Sequence, residues 1–146
     1  MTAEYTFKWE GDAVNRKVRT GIRWGIDSVM ADCVTTAKNL VPKRTTILQG
    51  SLQMRPAVDL SDHIAGYWGS FTTKYAPWVE FGTRPHWPPV KAIETSMRVS
   101  HSEAFLIARS ISRKGTRPHP YLMPAAEQHY PSLGLRIRAQ TDWGPS

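Results

Sequence analysis

The chain has 146 residues, 40% of them hydrophobic and 21% charged, which suits one domain with one core and argues against a disordered chain. Lys and Arg total 19 against 12 Asp and Glu, a net +7 with neutral histidine, and that balance points to nucleic acid, an anionic surface or an acidic partner without choosing among them. Cys33 is the single cysteine, so neither an intrachain disulfide nor a cysteine-built zinc site is expected; with no secretory leader and no apolar run of about 18 residues, the sequence reads as a soluble chain of a reducing compartment.

Residues 1–11 alternate at Tyr5, Phe7 and Trp9 and read as an arm rather than a strand, since a terminus needs extra contacts to be held. From 12 to 40 the apolar residues Val14, Val18, Ile22, Ile26, Val29, Met30, Cys33, Val34 and Ala37 recur mostly at steps of three and four, the spacing of one helical face. Asp12 suits the N-cap, and Pro42 stops the helix. Gly21 and Gly25 stand one turn apart in it. Each weakens a helix by roughly 1 kcal/mol relative to alanine, and the preferred reading is a core helix that tolerates both rather than a seam for a close neighbour. Cys33 falls on the apolar face and reads as a small buried residue, not a nucleophile.

Residues 43–50 are polar and turn-like. In 51–60, Leu52, Met54, Pro56, Val58 and Leu60 alternate with polar Gln53 and Arg55, the pattern of a half-buried strand; Pro56 places it at an edge or a bulge. Ser61 and Asp62 mark a turn. Ile64, Tyr67, Trp68 and Phe71 form a second, antiparallel strand, with Gly66 and Gly69 marking a bulge or a close backbone approach, so the strand pair spans 51–72. Within 74–83 Pro77 opens a short helix and Gly82 ends it. A proline-stiffened connector then leads into a helical insertion over 88–114. Its first helix, 90–99, turns Val90, Ile93 and Met97 inward. Its second, 102–114, is capped by Ser102 and turns Phe105, Leu106, Ala108 and Ile111 inward. Residues 117–120 are extended, 121–140 form a C-terminal helical segment interrupted at Pro131 and Gly134, and 141–146 are a tail. The fold class is α+β: a small antiparallel sheet of two to four strands packed against a long N-terminal helix, with an additional helical pair inserted.

One short repeat stands out. Gly82-Thr83-Arg84-Pro85-His86 recurs as Gly115-Thr116-Arg117-Pro118-His119, each copy a helix stop followed by extended chain. Residues 84–119 hold Arg84, Lys91, Arg98, Arg109, Arg113, Lys114 and Arg117 against Glu94 and Glu103, +5 of the net +7. These seven form a candidate basic face. With Trp87, Phe105 and Tyr121 interleaved, they support a small basic, non-specific nucleic-acid-binding module as the alternative function. His86, His101, His119 and His129 show no paired helical spacing, so no metal is assigned. Neither a Gly-x-Ser-x-Gly elbow nor a phosphate loop is present. Glu80, beside Trp78 and Phe81, is the carboxylate best suited to acid chemistry, with His86 or His119 as partner. A cap or a pair with a basic neighbour is its preferred role. No catalytic residue and no cofactor are assigned.

Three pieces together carry a family resemblance: the helix ending at Pro42 followed by Thr45-Thr46-Ile47-Leu48-Gln49-Gly50-Ser51-Leu52; Tyr75-Ala76-Pro77-Trp78-Val79-Glu80-Phe81-Gly82-Thr83; and Pro118-His119-Pro120-Tyr121-Leu122-Met123-Pro124-Ala125. Over most of the chain, residues 12–128, the sequence resembles the tail-completion, or head–tail joining, proteins of long-tailed bacteriophages, departing at Thr46 where the family usually carries Gly. The resemblance implies a structural virion protein without catalysis, assembled in the host cytoplasm and placed in the neck or tail region. It implies a ring, usually a hexamer, whose partners are the connector or neck proteins and the tail tube; from the sequence itself no membrane partner is expected, and the basic stretch allows non-specific contact with passing DNA or with an acidic neighbour. It further implies that Tyr75, Val79, Glu80, Phe81, Gly82 and Thr83 form a packed turn near a subunit contact, against which Pro120, Tyr121, Leu122, Pro124 and Ala125 dock. Read from composition alone, such aromatic clusters are core more often than interface. Six tryptophans nonetheless exceed what one small core readily buries, which favours self-association.

Overall fold

The computed structural model describes residues 11–42 and 46–141; the aromatic arm and the last five residues of the tail lie outside them. An apolar stripe at helical spacing needs a partner surface along its whole length, and helix α1 (Gly11–Leu40) supplies the spine on which the sheet and the C-terminal helices lie. Its buried stripe runs from Gly21 and Gly25 through Val29, Met30, Cys33 and Val34 to Ala37. Val41 closes it, donating its N–H to Ala37 O at 2.9 Å. Asp12 is not the cap: Gly11 is already helical, and Asp12 lies in the first turn, where its charge suits the helix dipole. No helix among the described residues is long and apolar enough to cross a membrane.

The polar stretch expected to be a turn contains helix α2 (Thr46–Ser51). Only Leu48 and Ser51, three apart, face inward, so one short buried edge suffices, and even Ile47 is left exposed. Gln49 Nε2 ties α2 to the end of α1 by donating to Lys38 O at 2.8 Å.

Strands β1 (Leu52–Asp59) and β2 (Ile64–Ser70) make a two-stranded antiparallel sheet, with Leu52 opposite Ser70 and Asp59 opposite Ile64. The register slips between Arg55 and Val58, where Pro56 has no N–H to give the ladder. The slip overturns the strict alternation: Ala57 turns inward and is buried, while Pro56, Val58 and Leu60 are exposed. The N–H of Ala57 donates instead to Asp27 Oδ1 of α1 at 2.7 Å. Gly66 marks the close approach of sheet to helix, since a Cβ there would stand 2.7 Å from Ile26 Cγ2. At the end of β1, the Arg19 guanidinium holds the Asp59 carboxylate, with Nε to Oδ2 at 2.9 Å, and pulls that carboxyl below its ordinary range.

The C-terminal segment runs as α6 (Leu122–His129), a 3₁₀ turn (Tyr130–Ser132) and α7 (Leu133–Thr141). Pro131 breaks the helix as expected, but Gly134 does not. Proline removes a donor, whereas glycine costs a helix only about 1 kcal/mol. Helix α7 returns along α1 and corrects the reading of its glycines. A Cβ on Gly21 would stand 2.6 Å from Thr141 Cγ2, and one on Gly25 would stand 2.6 Å from Ile137 Cγ1 and 3.3 Å from Ile137 N. They form a seam for a close neighbour. Arg136 locks it, with Nη2 2.5 Å from Asp32 Oδ2, Nε 3.1 Å from Ser132 Oγ, and Nη1 on Ser28 Oγ.

Two separate apolar clusters result among the described residues. The main one joins Val34, Ala37, Val41, Leu48, Leu52, Ala76, Tyr121 and Ala125. The second lies wholly within a hairpin of α4 (Val90–Met97) and α5 (His101–Lys114), where Ile93, Ala104 and Ala108 are ringed by Val90, Val99, Ile107 and Ile111. The cap of α5 is Ser100, not Ser102: the Glu103 N–H donates to Ser100 Oγ, and the Ser100 N–H donates to Glu103 Oε2 at 2.9 Å, a capping box. The inward face is also rotated from the expected one. Phe105, Leu106 and Met97 are exposed, because Ala104 and Ala108, one turn apart, let the two helices approach over small side chains.

Candidate functional site

The short helix α3 (Ala76–Phe81) carries the most specific part of the resemblance. Pro77 sits in its first turn and Gly82 follows its last. Ala76 and Glu80 are buried and Val79 packs on the main core, so the opposite side carries Tyr75, Trp78 and Phe81 at three-residue steps. Trp78 is 58% and Phe81 71% exposed. The aromatics expected as core are therefore divided: this row faces out, while Tyr121 is fully buried. Trp78 belongs with Tyr75 and Phe81 although the sequence-based interface set omits it, and the three-residue spacing was the available signal.

Glu80 is 4% exposed and joins the two strongest motifs. Its Oε2 accepts the N–H groups of Tyr121 and Leu122 at 2.8 and 2.9 Å, and its Oε1 accepts that of Met123 at 2.9 Å. The first N–H groups of a helix have no partner within it, and Tyr121 makes no side-chain cap for α6. The carboxylate fills that role from across the chain, where the positive end of the helix favours its charge. This is the capping role preferred from the sequence. Next to it, the His119 N–H donates to Val79 O at 2.8 Å. Of the docking segment, Tyr121 and Ala125 are buried, Leu122 and Pro124 half-buried and Pro120 exposed. The Tyr121 hydroxyl has no hydrogen-bond partner among the described residues; burial, then the Glu80 charge, pushes its pKa up to about 12. Cys33 is buried as expected, its Sγ 3.6 Å from Ala125 O, and burial raises its thiol to about 11.

The two copies of the repeat meet. Thr83 and Thr116 form an isolated antiparallel bridge: the Thr83 N–H donates to Thr116 O at 3.3 Å, the Thr116 N–H donates to Thr83 Oγ1 at 3.1 Å, and the two hydroxyls lie 3.0 Å apart. Gly82 (φ 71°, ψ −174°) and Gly115 (φ 71°, ψ −162°) share one backbone conformation that essentially only glycine adopts. A Cβ on Gly82 would run into Thr116 O, and one on Gly115 into Thr83 O. The repeat is thus a near-two-fold stitch across the neck of the α4–α5 hairpin. His86 Nδ1 bonds within its own loop, 2.9 Å from Arg84 O.

Arg84, Lys91, Arg98, Arg109, Arg113, Lys114 and Arg117 are all exposed. Among the described residues none of their side chains makes an ion pair or a hydrogen bond. The two acids of the stretch are engaged elsewhere: Glu94 Oε1 lies 2.5 Å from His101 Nδ1, and Glu103 completes the capping box, its carboxyl held below the usual range by Ser100. Trp87 packs edge-on against Phe105, ring centroids 5.6 Å apart. Compared with known proteins, the chain matches no family profile, no curated protein and no solved structure.

Proposed function

We propose that this chain is a structural protein of a long-tailed phage virion, which completes the tail or joins it to the head connector as a ring, a hexamer by resemblance, and performs no catalysis. One observation carries this reading: the two most specific pieces of the resemblance, 41 residues apart at Glu80 and Tyr121, form one unit whose outer side is the exposed row of Tyr75, Trp78 and Phe81. The Glu80 cap holds α3 rigidly against α6, so the row is presented in a fixed geometry. Aromatic anchors on a stiff element suit the centre of a protein interface, and covering half of one such ring contributes about 2 kcal/mol.

Sedimentation or native mass measurement tests the assembly, and complementation of a phage lacking the protein tests the place. Trp78→Asp with Phe81→Asp is expected to leave the unfolding transition intact, abolish oligomers and prevent incorporation into the neck. A double variant that still assembles and still complements would sink the reading.

A further inference from the structure

The hairpin departs from the rest of the molecule in charge as well as in packing. Its cluster of Ile93, Ala104 and Ala108 is separate from the main core, so the body does not need the hairpin to bury its own apolar surface. On α5 the buried Ala104 and Ala108 fix the inner side, which puts Arg109 and Arg113, one turn apart, on the outer side. Arg98 stands at the other end, in the left-handed conformation (φ 53°) at the C-cap of α4. Lys91 lies in the first turn of α4, and Lys114, Arg84 and Arg117 flank the neck. Helix α5 is about 20 Å long, so cations with no partner among the described residues run along the whole hairpin. Such an array repels itself and gains nothing from folding; its free energy is recovered only against an extended anion.

A second copy of the chain does not supply that anion. Residues 84–119 hold +5 of the net +7, so the remainder is itself +2. An extended line of negative charge is what a nucleic-acid backbone presents, at about one charge per 1.7 Å of duplex axis. We propose that the α4–α5 hairpin is an arm that binds the phosphate backbone of nucleic acid without reading its sequence, held at a fixed angle to the body by the Thr83–Thr116 stitch. This stands on the charge and geometry of the hairpin alone, whether or not the chain forms a ring.

The test uses the full-length protein and labelled duplexes of about 30 base pairs, two of unrelated sequence, with a single strand of the same length, read by fluorescence anisotropy from about 50 to 200 mM salt. Both duplexes are expected to bind equally, with an affinity that falls steeply as salt rises; the single strand decides only which form of backbone binds better. Replacing Arg98, Arg109 and Arg113 by Gln is expected to weaken duplex binding at least about tenfold at low salt and to reduce the salt slope by up to about 2.7, or about 0.9 for each phosphate no longer neutralised. Replacing Arg16, Arg23 and Arg138 by Gln removes the same charge from exposed positions of the body. That triple is expected to weaken binding less than about threefold at the same salt. Melting curves of both triples are expected to overlay the parent. No binding at low salt, equal losses in the two triples, or displacement by polyglutamate as effective per charge as by DNA would each overturn the assignment, the last pointing to an acidic protein instead. Running the titration on the Trp78→Asp, Phe81→Asp variant separates the two proposals: loss of assembly with retained DNA binding leaves the arm standing, and the reverse leaves the ring.

Discussion

The body and the hairpin hold themselves together by different means. The main core draws Val34, Leu52, Ala76 and Tyr121 from four separated stretches of chain, and its decisive polar contacts are long-range: Glu80 to the start of α6, Arg136 to Asp32, Asp27 to Ala57 N. The hairpin draws its cluster from neighbouring residues and starts its second helix with a capping box three residues wide. The body therefore depends on contacts with no substitute nearby, and the hairpin on local hydrogen bonds that form wherever it is attached. The exposed aromatics of α3 belong to the body and the row of exposed cations to the hairpin, so the two faces can be altered separately.

The sharpest way to break that contrast is at Glu80. Glu80→Ala leaves three amides at the start of α6 without their acceptor and is expected to cost on the order of 4 kcal/mol in urea unfolding, with hydrogen-exchange protection in α5 unchanged. Next come the glycines. Gly25→Ala drives a methyl into Ile137 of α7 and is expected to cost about 1–3 kcal/mol of global stability. Gly82→Ala and Gly115→Ala are expected to cost about 1–3 kcal/mol each and nearly equally, because the two glycines share one backbone conformation; a silent member of the pair would refute the near-two-fold description. Ser100→Ala removes one half of the capping box for about 1 kcal/mol, and exchange should quicken in α5 while the body's melting stays put.

Tyr121 adds a pH dependence to the body. Its folded pKa of about 12 lies above the ordinary value of 10.0, so its contribution is complete below pH 10 and declines as pH rises through about 12. Tyr121→Phe also removes a hydroxyl with no partner among the described residues; stability at neutral pH is expected to hold or rise slightly, and alkaline unfolding to become less steep. The smallest effect is the most telling. Replacing residues 84–115 by Asn-Gly joins Thr83 to Thr116 through a two-residue turn suited to an antiparallel pair, and the unfolding midpoint of the body is expected to stay close to that of the intact chain.

Some of this is legible residue by residue. The phase and extent of α1 lie in its spacing, the bulge in Pro56, and the stops in Gly82 and Gly115; the cap of α5 does not, lying at Ser100, two residues before the expected Ser102. Each of the legible features is settled by atoms within a few residues, as a backbone hydrogen bond or a fixed φ. Inward and outward are less legible. Phe105 and Leu106 look more like core than Ala104, and the aromatics of α3 look no different from Tyr121. Hydrophobicity alone does not tell which side a neighbour will cover.

The sequence by itself determined the α+β class, the order of the elements other than α2, the location of the charge and the burial of Cys33. Only the tertiary structure decided that Gly21 and Gly25 are a seam, that Ala57 rather than Val58 turns inward, that Glu80 caps a helix beginning 42 residues later, and that the two repeats close on each other. The reason is the range of the interactions. Helix periodicity and a capping box such as that of α5 are local and are written into neighbouring residues, whereas burial, close approach and the Glu80 cap depend on what arrives from a distant part of the chain.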